Sequence, residues 1–160
     1  MTDKSQPILE YDNFKLSFRT ENGLLTAVDR ISFKVMPGEI MGLVGESGCG
    51  KSVTSLSAMR LLPNTANYEG EIRFQGRNVL DYSSKELEKM RGNKVAMIFQ
   101  EPMTALNPAF KIGDQLSEVF ITHQEMDKSQ ALEESIKMLE KVGKANCQAY
   151  QQLFFNRSEK

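Results

Sequence analysis

The clearest chemistry in the chain lies in Gly45-Glu46-Ser47-Gly48-Cys49-Gly50-Lys51-Ser52. Its spacing, Gly-x-x-x-x-Gly-Lys-Ser, is that of a loop whose backbone N–H groups cradle phosphate oxygens. Gly45, Gly48 and Gly50 are expected to let the backbone take positive φ and approach an anion without a side chain in the way. Lys51 would set a compact positive charge on the β- and γ-phosphates. The Ser52 hydroxyl suits Mg²⁺, a hard cation that prefers oxygen. Glu46, Ser47 and Cys49 contribute mainly backbone, and Val53 completes the set of residues expected to line the phosphates.

Such a loop works only between a strand and a helix N-terminus, where N–H groups converge on an anion. The apolar run Ile40 to Val44 predicts a buried strand before it, and Val53 to Leu62 predicts a helix after it, stopping before Pro63. Upstream, Asn13 to Arg19 alternates, with Phe14, Leu16 and Phe18 on one face of a strand. Leu24 to Val28 predicts a returning strand, and Ile31, Phe33 and Val35 alternate again before a Pro37-Gly38 turn. Glu71 to Phe74, closed by Gly76, and Lys94 to Phe99 read as further strands. Ser83-x-x-Glu86 is a capping box for a short helix over 84–90 that ends at Gly92. After a loop from Gln100 to Pro108 the pattern turns helical. Ile112, Leu116, Val119 and Phe120 share one face of a helix over 112–123, Leu132, Ile136, Leu139 and Val142 line a second helix over 128–142, and Gly143 is a helix stop.

Composition narrows the classes. The chain has 160 residues, 20 basic and 21 acidic, for a net charge of −1. That balance offers no global attraction to nucleic acid or to an anionic membrane. No apolar run is long enough to span a bilayer, and the polar start through Tyr11 does not read as a signal peptide. Cys49 and Cys147 make no disulfide framework, which fits a reduced cytosolic setting. Cys49, at a helix N-terminus beside Lys51, is expected to alkylate readily and to be protected by a bound magnesium polyphosphate, unless it is only a small spacer in the loop. His123, the only histidine, reads as a surface or packing residue.

Taken together, these segments resemble the ATP-binding subunit of an ABC transporter, in the branch serving oligopeptide, dipeptide and nickel importers. The resemblance is carried by Phe14 to Thr20 with Ala27 to Phe33, by Pro37-Gly38-Glu39 running into Gly42 to Ser52, and by Met97-Ile98-Phe99-Gln100-Glu101-Pro102-Met103-Thr104-Ala105-Leu106-Asn107-Pro108, which is similar to that branch's Q-loop. It implies an α/β fold: a P-loop NTPase core of ABC type with an N-terminal antiparallel β portion over 8–108, the start of an α-helical subdomain over 109–143, and an atypical tail over 144–160. It implies ATP and Mg²⁺ as cofactors. Phe18 would stack on adenine, although its alternation with Phe14 and Leu16 equally fits a core residue. Gln100 would help hold Mg²⁺ and the attacking water; the competing reading is a polar residue ending a strand. Lys51 and Gln100 are thus the catalytic candidates, and Ser52 and Gln100 the metal candidates. The implied partners are membrane-spanning permease subunits and a second ATP-binding subunit, at the cytoplasmic face of the inner membrane.

The 160 residues depart from the family pattern in three respects. None of the 11 glycines has a glycine neighbour, so the Leu-Ser-Gly-Gly-Gln-type signature is absent. No apolar run ends in Asp-Glu as a Walker B strand would, and His123 precedes any place for a switch histidine. The expectation is therefore a chain incomplete at its C-terminal side, either a truncated or disrupted importer ATPase, a nucleotide-binding fragment without ATPase activity, or a non-functional remnant. Without a Walker B strand, the strand beside the phosphate loop and the apolar faces of both later helices are expected to lack neighbours.

Overall fold

The computed structural model describes residues 5–99 and 106–142. Gln100, the Gly143 stop and the tail over 144–160 lie outside the described residues. The chain divides into two compact units, one ending at Arg91 and one beginning at Gly92.

The first unit is built on an antiparallel sheet. Strands β1 (Leu9–Thr20), β2 (Gly23–Val35), β3 (Ala66–Phe74) and β4 (Arg77–Asn78) lie in the order β2-β1-β3-β4. β1 begins at Leu9, earlier than the polar N-terminal stretch suggests, and it pairs with both β2 and β3. The expected pair of strands between Leu24 and Val35 is one strand. A left-handed residue, Arg30 (φ 50°), absorbs the change of alternation that made the sequence read as two. Bulges of this kind shift the face on which side chains point. Accordingly Leu16 and Ser17, neighbours in β1, are both buried.

Phe14, Leu16, Ile72 and Val79 are fully covered, and Tyr11 stacks on Phe33 with ring centroids 4.5 Å apart. The other side of the strands is charged: Glu10 bridges Lys34 of β2 (2.9 Å) and Arg73 of β3 (3.4 Å). The hairpin from β3 to β4 turns on Gln75 and Gly76, both at positive φ, as the closing glycine predicts.

Helix α1 spans Lys51–Ala58, shorter than the expected Val53–Leu62. It ends in a Schellman arrangement. Arg60 takes φ 49°, its N–H donates to Ser57 O (3.0 Å), and Leu61 N–H donates to Leu56 O (3.1 Å). The usual sequence signal for this stop is glycine; here arginine fills the position, so the boundary was not legible. Helix α2 (Ser84–Met90) has the predicted box. Glu86 N–H donates to Ser83 Oγ (3.4 Å), and the Glu86 carboxylate accepts from Ser83 N–H (2.8 Å).

Two expected strands are not formed. Residues 40–44 and 94–99 belong to no strand; Ile40 is 99% and Val44 94% exposed, and Ile98 is 98% exposed. A continuous apolar run becomes a strand only where neighbours take its backbone hydrogen bonds and cover both faces. Among the described residues no strand lies beside either run.

The second unit contains helices α3 (Ile112–Gln124) and α4 (Lys128–Lys141). The boundaries match expectation to within a residue, and small residues form the seam between the helices. Gly113, Ser117, Ala131 and Ser135 are buried, whereas Val119, Leu132 and Val142 are exposed. Small side chains let the helices approach, and Ser117 Oγ meets Ser135 Oγ at 3.4 Å. Larger apolar residues lie on the flanks, in keeping with helices whose apolar faces lack neighbours.

Two outcomes test this packing. Tyr11→Phe removes a buried hydroxyl that bonds to α1 (below) and is expected to lower stability by about 1 kcal/mol in urea unfolding. The Arg77 side chain, followed by the Ser83 N–H and hydroxyl, draws the Glu86 pKa down from 4.5 to about 2. A depressed folded-state pKa means the stabilisation is complete above about 4.5 and is lost as pH falls toward 2. A carboxyl NMR titration of Glu86 should show that depressed midpoint; a midpoint near 4.5 would contradict the capping geometry.

Candidate phosphate site

The site is an uncapped helix N-terminus preceded by an exposed loop. Gly50 is the N-cap of α1, at φ 96°, and no side chain caps the helix. The first N–H groups of a helix have no intrahelical acceptor, and here the first internal bond is Thr54 N–H to Gly50 O (2.9 Å). Lys51, Ser52 and Val53 therefore bring backbone donors to the loop with the positive end of the helix dipole behind them.

Gly50 is required for two reasons. Its φ is left-handed, and a Cβ there would lie 2.6 Å from Ala27 O and 3.1 Å from Val28 Cγ2. The loop thus rests directly on the backbone of β2. Gly48 is also left-handed (φ 81°), but open space surrounds it. Gly45 corrects the expectation that all three glycines take positive φ. It has no left-handed backbone; a Cβ there would instead meet Cys49 Sγ at 2.5 Å.

Lys51 is aimed by the loop itself. Its ammonium donates to Gly45 O (2.7 Å) and Glu46 O (2.5 Å), with Cys49 Sγ at 3.5 Å. An ammonium has three donors, so two carbonyls can orient it while it still offers charge to an anion. Cys49 is exposed, as are Glu46 and Ser47. Ser52 is exposed, and its hydroxyl has no partner among the described residues.

The residues fit a magnesium-bound polyphosphate. Among the described residues no cluster of three His, Cys, Asp or Glu could hold a metal. A small hard cation here would rely on the Ser52 hydroxyl and on phosphate oxygens, a habit of Mg²⁺.

Residues that sequence reasoning passed over hold α1 in place. The Tyr11 hydroxyl donates to Thr54 O (2.6 Å) and lies 3.2 Å from Ser57 Oγ. Burial pushes its pKa up to about 12, so it stays a neutral donor. Arg91, at the end of α2, donates to Met59 O (2.8 Å) and Arg60 O (2.7 Å), and Arg60 itself reaches Tyr82 O (2.9 Å). Only Arg60, between Met59 and Leu61, stands out in an apolar stretch; Tyr11 and Arg91 lie among polar and charged neighbours, so the sequence carried no signal for them. Phe18 is half-buried and pairs with Leu25 and Ala66. It stands two residues along β1 from Leu16, whose β2 partner Val28 packs under Gly50.

A phosphate loop of this form defines a nucleotide-binding class, and comparison narrows it. The chain belongs to the ABC transporter family, whose profile matches residues 28–154. It is 42% identical over 144 residues to the oligopeptide transport ATP-binding protein OppD of Salmonella typhimurium, covering 88% of this chain and 43% of that protein. The dipeptide transport ATP-binding protein DppD of Bacillus subtilis is 44% identical over 140 residues, covering 86% and 42%. The chain thus spans less than half the length of these relatives. A dimeric ATP-binding cassette solved in a post-hydrolysis state with ADP and Pi superposes with a TM-score of 0.68 at 20% identity, covering 82% of this chain and 56% of that one. The fold is that of an ABC ATPase.

The close approach at Gly50 yields a graded outcome. Gly48→Ala, opposed by φ alone, should cost about 1–2 kcal/mol. Gly50→Ala should cost more, because its Cβ also collides with Ala27 O at 2.6 Å. Urea midpoints compare the two; equal losses would refute the contact with β2.

Proposed function

We propose that this chain binds the polyphosphate of MgATP at Gly45 to Val53, as part of the ATP-binding component of a peptide-importing ABC transporter. One observation carries the reading: an uncapped helix N-terminus with a left-handed Gly50, and beside it a lysine held across the loop by two backbone carbonyls. Lys51 would neutralise the β- and γ-phosphates, Ser52 would hold Mg²⁺, and Phe18 would stack on adenine. The naming of the relatives as oligopeptide and dipeptide transport ATP-binding proteins supports the solute class; nickel is the alternative cargo. Partners would be permease subunits and a second ATP-binding subunit at the cytoplasmic face of the inner membrane. Attachment would be peripheral, through the permease subunits; no helix among the described residues is long and apolar enough to cross a membrane.

Binding is tested by titrating the chain with a fluorescent ATP analogue, with and without Mg²⁺. Lys51→Ala removes a charge-assisted contact worth about 1.5–3 kcal/mol, an expected loss of roughly 10–100-fold in affinity. Equal affinity in the variant would reject the site.

A second reading, binding without turnover by this chain alone, is favoured by its sequence. The 160 residues contain neither a Gly-Gly signature nor an apolar run ending in Asp-Glu. Phosphoryl transfer depends on groups arrayed around the γ-phosphate, so hydrolysis is expected near background. A rate that survives rigorous purification and vanishes in Lys51→Ala would overturn this.

A further inference from the structure

We propose that Tyr11 and Thr54 are positioning residues for the polyphosphate: acting in series, they hold the first turn of α1 from its carbonyl side and leave its N–H groups free for the anion. The role rests on the reading of Gly45 to Val53 as a polyphosphate site.

A helix start is ordinarily steadied by a side-chain cap, which takes up free N–H groups of the first turn. α1 has no such cap. A cap here would occupy the donors that an anion needs, so the turn must be steadied in another way. Its carbonyls serve. Gly50 O accepts both the N–H and the hydroxyl of Thr54, each at 2.9 Å. Thr54 O in turn accepts the Tyr11 hydroxyl of β1 and the Ser57 hydroxyl, each at 2.6 Å. The path runs from the sheet, through Thr54, to the N-cap residue, and no step in it uses an N–H of Lys51, Ser52 or Val53.

Burial makes the path costly to break. Tyr11, Thr54 and Ser57 are 2%, 4% and 0% exposed, so a bond removed here leaves its partner unpaired away from water. Thr54 is also a poorer helix former than alanine, and a hydroxyl bonded back to the carbonyl four residues earlier does not favour helix in general. What it supplies is local: a second bond on the carbonyl of the residue that turns the loop into the helix, Gly50 at φ 96°. Release of that carbonyl would tilt the first turn and misplace every donor aimed at the anion.

The test is calorimetric titration of the full 160-residue chain with magnesium tripolyphosphate, which carries no base. It is run at a temperature where circular dichroism shows every variant folded. Tyr11→Phe and Thr54→Val should each weaken binding about three- to tenfold. Since the two act in series, the double variant should bind no more than about twofold worse than the weaker-binding single variant. Val79→Ala opens a cavity at another fully buried position; it should lower the urea midpoint and leave binding unchanged. Binding that neither single variant weakens, losses that multiply in the double variant, or an equal loss in Val79→Ala would each overturn the role while leaving the site in place. No binding by the unaltered chain would overturn the site itself, and the role with it.

Discussion

Everything at the candidate phosphate site depends on Gly50, the N-cap of α1, lying against the β2 backbone with no side chain of its own. Gly50 lies so close to Ala27 O that even a methyl group would collide. That approach places the helix N-terminus beside the loop and fixes its direction. The Tyr11 hydroxyl secures the same helix from below, at Thr54 O, and Arg91 secures its far end at Met59 O and Arg60 O. Each of these bonds satisfies a helix carbonyl or a buried hydroxyl that would otherwise be costly to leave unpaired. The loop can then stay exposed and polar, because its geometry is set by what lies behind it.

The same anchoring explains how the loop is built although the run that leads into it is no strand among the described residues. The antiparallel strands β1 to β4 cover their own core through Phe14, Leu16 and Ile72. The run that enters the loop, Ile40 to Val44, takes no part in that sheet. Orientation of Lys51 comes from Gly45 O and Glu46 O, within the loop, and needs no strand beside it. Local hydrogen bonds therefore form the phosphate cradle, while the surrounding apolar run still lacks the neighbours that would bury it.

Legibility followed the range of the interaction. The loop, the Ser83–Glu86 capping box, the Gln75-Gly76 turn and the extents of α3 and α4 were readable because each rests on residues a few positions apart. The end of α1 was missed because arginine occupies a position that usually signals itself with glycine. The single long β2 was read as two strands because the left-handed Arg30 breaks the alternation without breaking the pairing. Periodicity marked the apolar face of each helix but could not name the α3–α4 seam, because close approach there selected the small residues Gly113, Ser117, Ala131 and Ser135.

By itself the sequence determined the candidate phosphate loop, the spacing of its donors and the family pattern, all written in contiguous residues. The tertiary structure decided which apolar runs become strands, since a strand exists only through partners distant in sequence. It decided that Tyr11 and Arg91 serve the site, since their bonds to α1 cross 43 and 32 positions of chain. And it decided why Gly50 must be glycine: the reason is a carbonyl of β2, which no local pattern could place there.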